Sequence, residues 1–113
     1  MVEETVRSEQ NSNAFLSYYN DIDKYFTKLL ELDKYVPFTE RVAAIVAGTF
    51  PVSAFVKHVE DKLRYFGDLR NQLVHGFRLD HRHYLLVSDH AIAEIKRIWE
   101  ELKAPTSLVT IFG

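Results

Sequence analysis

Between Asn13 and Lys34 the apolar side chains fall at Phe15, Tyr18, Ile22, Tyr25, Leu29 and Leu32. The steps are threes and fours, the spacing of one helix face, and Tyr19, Phe26 and Leu30 widen the stripe. This pattern predicts a long first helix from about Asn13 to Lys34, roughly 30 Å at 1.5 Å per residue, closed by Pro37. The residues before it, Met1 to about Gln10, are polar and read as a partly frayed lead-in.

A short second helix is expected from about Glu40 to Ala47, with Thr39 as its cap and Gly48 at its end. Pro51 is placed to start a third, from about Val52 to His75, ending at Gly76. Its apolar positions run Val52, Phe55, Val56, Val59, Leu63 and Phe66, then resume at Leu73 and Val74. Glu60 and Arg64, four apart in the favourable order, are ordinary surface support. Phe77 to Val87 reads as a loop or short hairpin, because Tyr84-Leu85-Leu86-Val87 has strand propensity. Ser88 caps a last helix carrying Ile92, Ile95, Ile98, Trp99 and Leu102, with Lys103 near its end and Pro105 beyond. The whole is an all-α antiparallel bundle of about four helices, two of them long, over about 13–104 of a single domain spanning 1–113. The tail 105–113 is apolar and extended, as a segment continuing into another domain would be.

The third helix breaks its own pattern. The step after Phe66 lands on Arg70, and a guanidinium on a burying face is costly unless an anion pairs with it. Two polar residues follow, Asn71 and His75. Arg64, Asp68, Asn71 and His75 share one helical stripe. Arg70 and His75 are five apart and point about 140° away from each other in a regular helix. A loosened last turn at Gly76, the reach of the arginine, or a second copy of the helix across a two-fold axis would bring them together. Gly67, inside this helix at a cost of about 1 kcal/mol relative to alanine, is either a tolerated defect or a place where another helix comes close.

Two readings of these residues stand side by side. Arg70 is a core arginine satisfied by Asp21 or Asp23 of the first helix, and His75 is a helix-end histidine favoured by the macrodipole. Alternatively the three residues meet a phosphate. RNA carries its own nucleophile, the 2′-hydroxyl beside each phosphate. His75 titrates near neutral pH and can move protons, Arg70 can brace the phosphoryl oxygens with a bidentate fork, and Asn71 can orient the imidazole or bind the substrate. No metal or other cofactor is needed for that chemistry.

Composition narrows the field modestly. At 47% hydrophobic and 27% charged residues the chain is an ordinary globular domain, and its 4 glycines and 3 prolines favour uninterrupted helices. It has no cysteine, which excludes disulfides and thiolate metal sites. There is no apolar run of membrane-spanning length and no signal-peptide pattern in Met1–Gln10, so no membrane partner is expected and the expected compartment is the cytoplasm. The net charge of −2 argues against a large basic surface, but it is unevenly spread. Residues 1–61 hold 6 Lys/Arg against 10 Asp/Glu, and residues 62–113 hold 8 against 6. Arg70, His75, Arg78, His81, Arg82 and His83 crowd together opposed only by Asp80, either as a solvated turn or as an anion-attracting patch in which Arg78 and Arg82 contact substrate. His81 and His83 lack a convincing third ligand for zinc, and no metal site is assigned.

The segment Leu69-Arg70-Asn71-Gln72-Leu73-Val74-His75-Gly76 resembles the signature of HEPN domains: an arginine, a polar residue and a histidine a few positions on, late in a long helix of a bundle. The layout of helices is also similar to that family, although only Arg70–His75 is specific. The resemblance implies a metal-independent ribonuclease of a toxin, defence or RNA-processing system, acting as a homodimer with the two motifs facing each other. It assigns Arg70 and His75 as the catalytic pair and Asn71 as their companion. Other HEPN domains are noncatalytic modules that dimerise and bind RNA, nucleotides or proteins. In the toxins paired with nucleotidyltransferase antitoxins, a tyrosine two places after the histidine is the target of modification; here that place is Phe77.

Overall fold

A computed structural model describes residues 2–75 and 87–104 of the chain. They form five helices: α1 (Val2–Leu29), α2 (Phe38–Ala47), α3 (Ser53–His58), α4 (Glu60–His75) and α5 (Asp89–Lys103). Among the described residues there are no strands, and the fold is the expected all-α bundle. The expected loop or hairpin over 77–87 falls almost entirely outside the described residues, and the tail 105–113 does so completely.

Helix α1 is the mast on which the others pack, touching α2, α4 and α5. Its start and end both differ from the periodicity. It begins at Val2, since residues 2–36 contain no glycine or proline to interrupt a helix. It ends at Leu29, well before Pro37. Glu31 turns into the left-handed region at φ 53°. The Glu31 N–H then donates to Lys28 O (3.1 Å) and the Leu32 N–H to Thr27 O (3.1 Å), the bond pair of a Schellman stop, here without its usual glycine. The buried seam is Phe15, Tyr19, Ile22 and Phe26, while Tyr18, Tyr25 and Leu29 flank it half-buried. The stripe is thus centred one residue further round than the spacing of Tyr18 and Tyr25 predicts.

Helix α2 starts at Phe38 with Pro37 at its N-cap. Thr39 is inside the helix and caps nothing. Phe38, Val42 and Ile45 face the core. The Ser53 hydroxyl, buried, donates to Ile45 O (2.6 Å) and accepts from Phe50 N–H (3.0 Å), locking the end of α2 to the start of α3.

The single helix expected over 52–75 is broken at Val59, which sits at φ −106°, ψ 16° and leads straight into α4. The bend lets Val56 and Val59 both stay buried while α3 packs on α2 and α4 reaches α1 and α2. Gly67 is buried against Phe38: a Cβ there would lie 3.3 Å from the ring Cδ2. The close approach expected at Gly67 is therefore made inside the chain by an α2 side chain. This glycine serves packing within the bundle, and offers no bare face to a second copy.

Ser88 caps α5 as expected, its hydroxyl accepting from the Ala91 N–H at 3.0 Å, and Ala91, Ile95, Ile98 and Leu102 face the core. Asn11, which the early start of α1 makes helical, donates to Val87 O (2.8 Å) and Asp89 Oδ1 (3.0 Å) and ties the two helices at one end. Tyr25 meets the Trp99 ring edge-on at 6.1 Å further along. Lys62 reaches Glu94 at 2.8 Å, and Arg97 reaches the same oxygen at 3.1 Å. Together they hold the Glu94 carboxyl down at about 2.

Candidate functional site

After Phe66 the buried seam of α4 continues through Leu69, three residues on, and not through Arg70. Arg70 is half-buried at the edge of the seam. The costly core arginine expected at this position is thus not there. It is found instead on α2: Arg41 is 7% exposed.

Arg41 lies on the apolar side of its helix, beside Phe38, Val42 and Ile45. Its Nη2 forms an ion pair with Asp23 Oδ1, and its Nη1 donates to the Thr27 hydroxyl. Its guanidinium carbon lies 6.0 Å from the centre of the Phe38 ring. Asp23 and Thr27 are one turn apart on α1, and the Thr27 hydroxyl is itself anchored to Asp23 O at 2.9 Å. The Asp23 contact is close in distance but lacks hydrogen-bond angle, and Arg41 Nε is buried with no partner. Asp23, one of the two carboxylates expected to satisfy Arg70, is thus committed to a different arginine. The rule that flags Arg70 also flags Arg41: a cation in a run of apolar three-and-four spacing.

Arg70 and Asn71 line a cleft of about 130 Å³ where α1, α2 and α4 converge. Tyr19 and Asp23 enter from α1, Tyr35 from the connection, and Arg41 from α2. Within the site Arg70 Nη1 donates to Asn71 Oδ1 at 3.3 Å, and among the described residues Arg70 has no carboxylate partner. Tyr19 is a buried titratable group of the cleft. Burial and then the Asp23 charge push its phenol up to about 12, against the pull of Arg70 and Arg41.

His75 is the last residue of α4, as expected, about 7.5 Å of helical rise beyond Arg70. Its side chain lies outside the described residues, as do Arg78, Arg82 and the His81 and His83 pair. The Arg64, Asp68 and Asn71 stripe is solvent-exposed. The structure therefore brings Arg70 and Asn71 together at one cleft and adds Tyr19, Asp23 and Arg41, which spacing along one helix could not reveal. Among the described residues no three His, Asp or Glu side chains group as metal ligands, and no helix is long and apolar enough to cross a membrane. No family model, curated protein or solved structure matches this chain.

Proposed function

We propose that the chain is a HEPN-type domain that cleaves RNA without a metal, working as a cytoplasmic homodimer in a toxin, defence or RNA-processing role. His75 moves the proton of the substrate 2′-hydroxyl, Arg70 braces the phosphoryl oxygens, and Asn71 holds the Arg70 fork in place. The observation that supports this reading is an arginine with no carboxylate partner among the described residues, hydrogen-bonded to Asn71 at a cleft in the last turns of α4. Arg41, which is buried, is matched by Asp23, whereas Arg70 at the edge of the seam is matched by no carboxylate among the described residues. Arg78 and Arg82 add the charge that draws the polyanion in. The dimer uses the exposed stripe of Arg64, Asp68 and Asn71, since Gly67 is already filled by Phe38. With Phe77 in place of a tyrosine, an antitoxin protein would have to act by binding rather than by modifying that position.

A noncatalytic module that dimerises and binds RNA, a nucleotide or a protein is the second reading. It is favoured by Arg70 lining the cleft beside Tyr19 and Asp23, two groups with no part in the cleavage scheme. One assay separates the two. Wild type should cut RNA but not matched DNA in the presence of a chelator, leaving a cyclic phosphate. His75→Ala should lose about 10²–10⁴-fold in rate while keeping its fold. Binding without cutting hands the function to the second reading, and equal cutting by His75→Ala refutes the assignment.

A further inference from the structure

We infer that the cleft between α1, α2 and α4 is a binding site for a phosphate monoester, clamped between Arg41 and Arg70. The inference shares Arg70 with the ribonuclease reading but not His75, and it stands if the chain cuts no RNA.

Three independent features converge on this cleft. The first is cationic. Guanidinium groups from two different helices line it, against the single carboxylate of Asp23. Arg41 is more than nine-tenths buried; its Nη2 and Nη1 are engaged by Asp23 and Thr27, but its Nε is buried without a partner, so the chain satisfies this guanidinium incompletely. The second is the start of α2. Pro37, Phe38 and Thr39 line the cleft, and no side chain caps the helix there. The free N–H groups and positive dipole end of this ten-residue helix are a general anion-binding feature. Glu40 in the same turn is solvent-exposed and is the opposing charge on this side. The third is neutral donors: the Asn71 amide and the Tyr19 phenol, the latter held protonated far into the alkaline range by burial.

Size selects among anions. A volume of about 130 Å³ is well below the roughly 300–1,000 Å³ of sites that engulf whole small molecules. It suits one phosphoryl group, with whatever carries it left outside. A monoester, with two charges, gains more from two guanidiniums than a chain phosphodiester with one. Free phosphate and the terminal phosphate of a nucleotide share this chemistry.

The test is titration of the full chain at low ionic strength with inorganic phosphate, adenosine 5′-monophosphate and adenosine, followed by the backbone amide resonances of Phe38 and Thr39. Saturable shifts with the first two and none with adenosine are expected. A tighter fit for the nucleotide would identify a terminal phosphate as the source, and equal affinities would identify the free ion. Arg70→Gln should weaken binding about tenfold or more, as loss of a charge-assisted donor does. Arg97→Gln, on the far-removed surface pair with Glu94, should leave it unchanged. Asp23→Asn removes the competing anion from Arg41 and should tighten binding several-fold, with thermal stability recovering as phosphate is added. No saturable shift in wild type, binding unaltered in Arg70→Gln, or equal response to adenosine overturns the inference. Because the readout is binding, a wild type that binds phosphate without cutting RNA refutes only the ribonuclease reading. Loss of cleavage in His75→Ala with phosphate binding intact supports both.

Discussion

The Arg41–Asp23 pair makes an asymmetric demand on stability that can be measured. Both charges are out of water, but unequally: the Arg41 side chain is 8% exposed and that of Asp23 32%. Arg41→Met keeps most of the apolar stem beside Phe38 and deletes the charge. The carboxylate left behind is one-third exposed, so water can rehydrate it, and the cost should be about 1–2 kcal/mol. Asp23→Asn instead strands a guanidinium that is only 8% exposed and meets water only at the cleft it lines. Breaking a buried pair by removing one partner costs ~3–5 kcal/mol, and the remaining amide oxygen recovers a little, so about 3 kcal/mol is expected. In urea that loss moves the midpoint by roughly 1–2 M for a slope near ~2 kcal/mol/M. The double variant Arg41→Met/Asp23→Asn should be more stable than Asp23→Asn alone, with a coupling of about 1–3 kcal/mol. Urea unfolding followed by circular dichroism, in phosphate-free buffer, reads all four proteins. Single effects that add to within ~0.5 kcal/mol, or an Arg41→Met cost larger than that of Asp23→Asn, would refute the reasoning.

Two further outcomes are expected. Glu31→Gly should raise stability by about 1 kcal/mol in thermal unfolding, because Glu31 holds φ 53° in the Schellman turn where glycine has no Cβ penalty; no gain would mean that the Glu31 side chain contributes something glycine cannot. The pH limits of stability follow from two groups with opposite signs. The Glu94 carboxyl is lowered from 4.5 to about 2, so its contribution is intact above 4.5 and lost as pH falls toward 2, and Glu94→Gln should flatten that part of the acid limb. The Tyr19 phenol is raised from 10.0 to about 12, so its contribution is intact below 10.0 and lost as pH rises toward 12. In alkaline absorbance titration Tyr19→Phe should lose a late-ionising phase that wild type shows and leave the earlier phase unchanged, and removing Arg70 should delay the Tyr19 phase further.

Local pattern was enough for the helices themselves. Threes and fours of apolar spacing marked α1 and α5 and the stretch of α3 and α4 as helical, though not the bounds of α1 or the break at Val59, and Ser88 announced its helix because capping involves only a few neighbouring residues. The motif Arg70-Asn71 with His75 at a helix end was legible for the same reason. What spacing could not supply was the angle at which each stripe meets the others. One residue of rotation decides that Leu69 is buried and Arg70 stands at the edge, and that Tyr19 and Phe26 replace Tyr18 and Tyr25 in the seam of α1. Contacts between distant residues were equally out of reach. Gly67 owes its missing Cβ to Phe38, and Asp23 owes its charge partner to Arg41 rather than Arg70. Burial is a property of three-dimensional neighbours. So the sequence alone shows which residues carry charge and which lie on a helix, but only the packed bundle selects which of two cations lining one cleft is paired with a carboxylate.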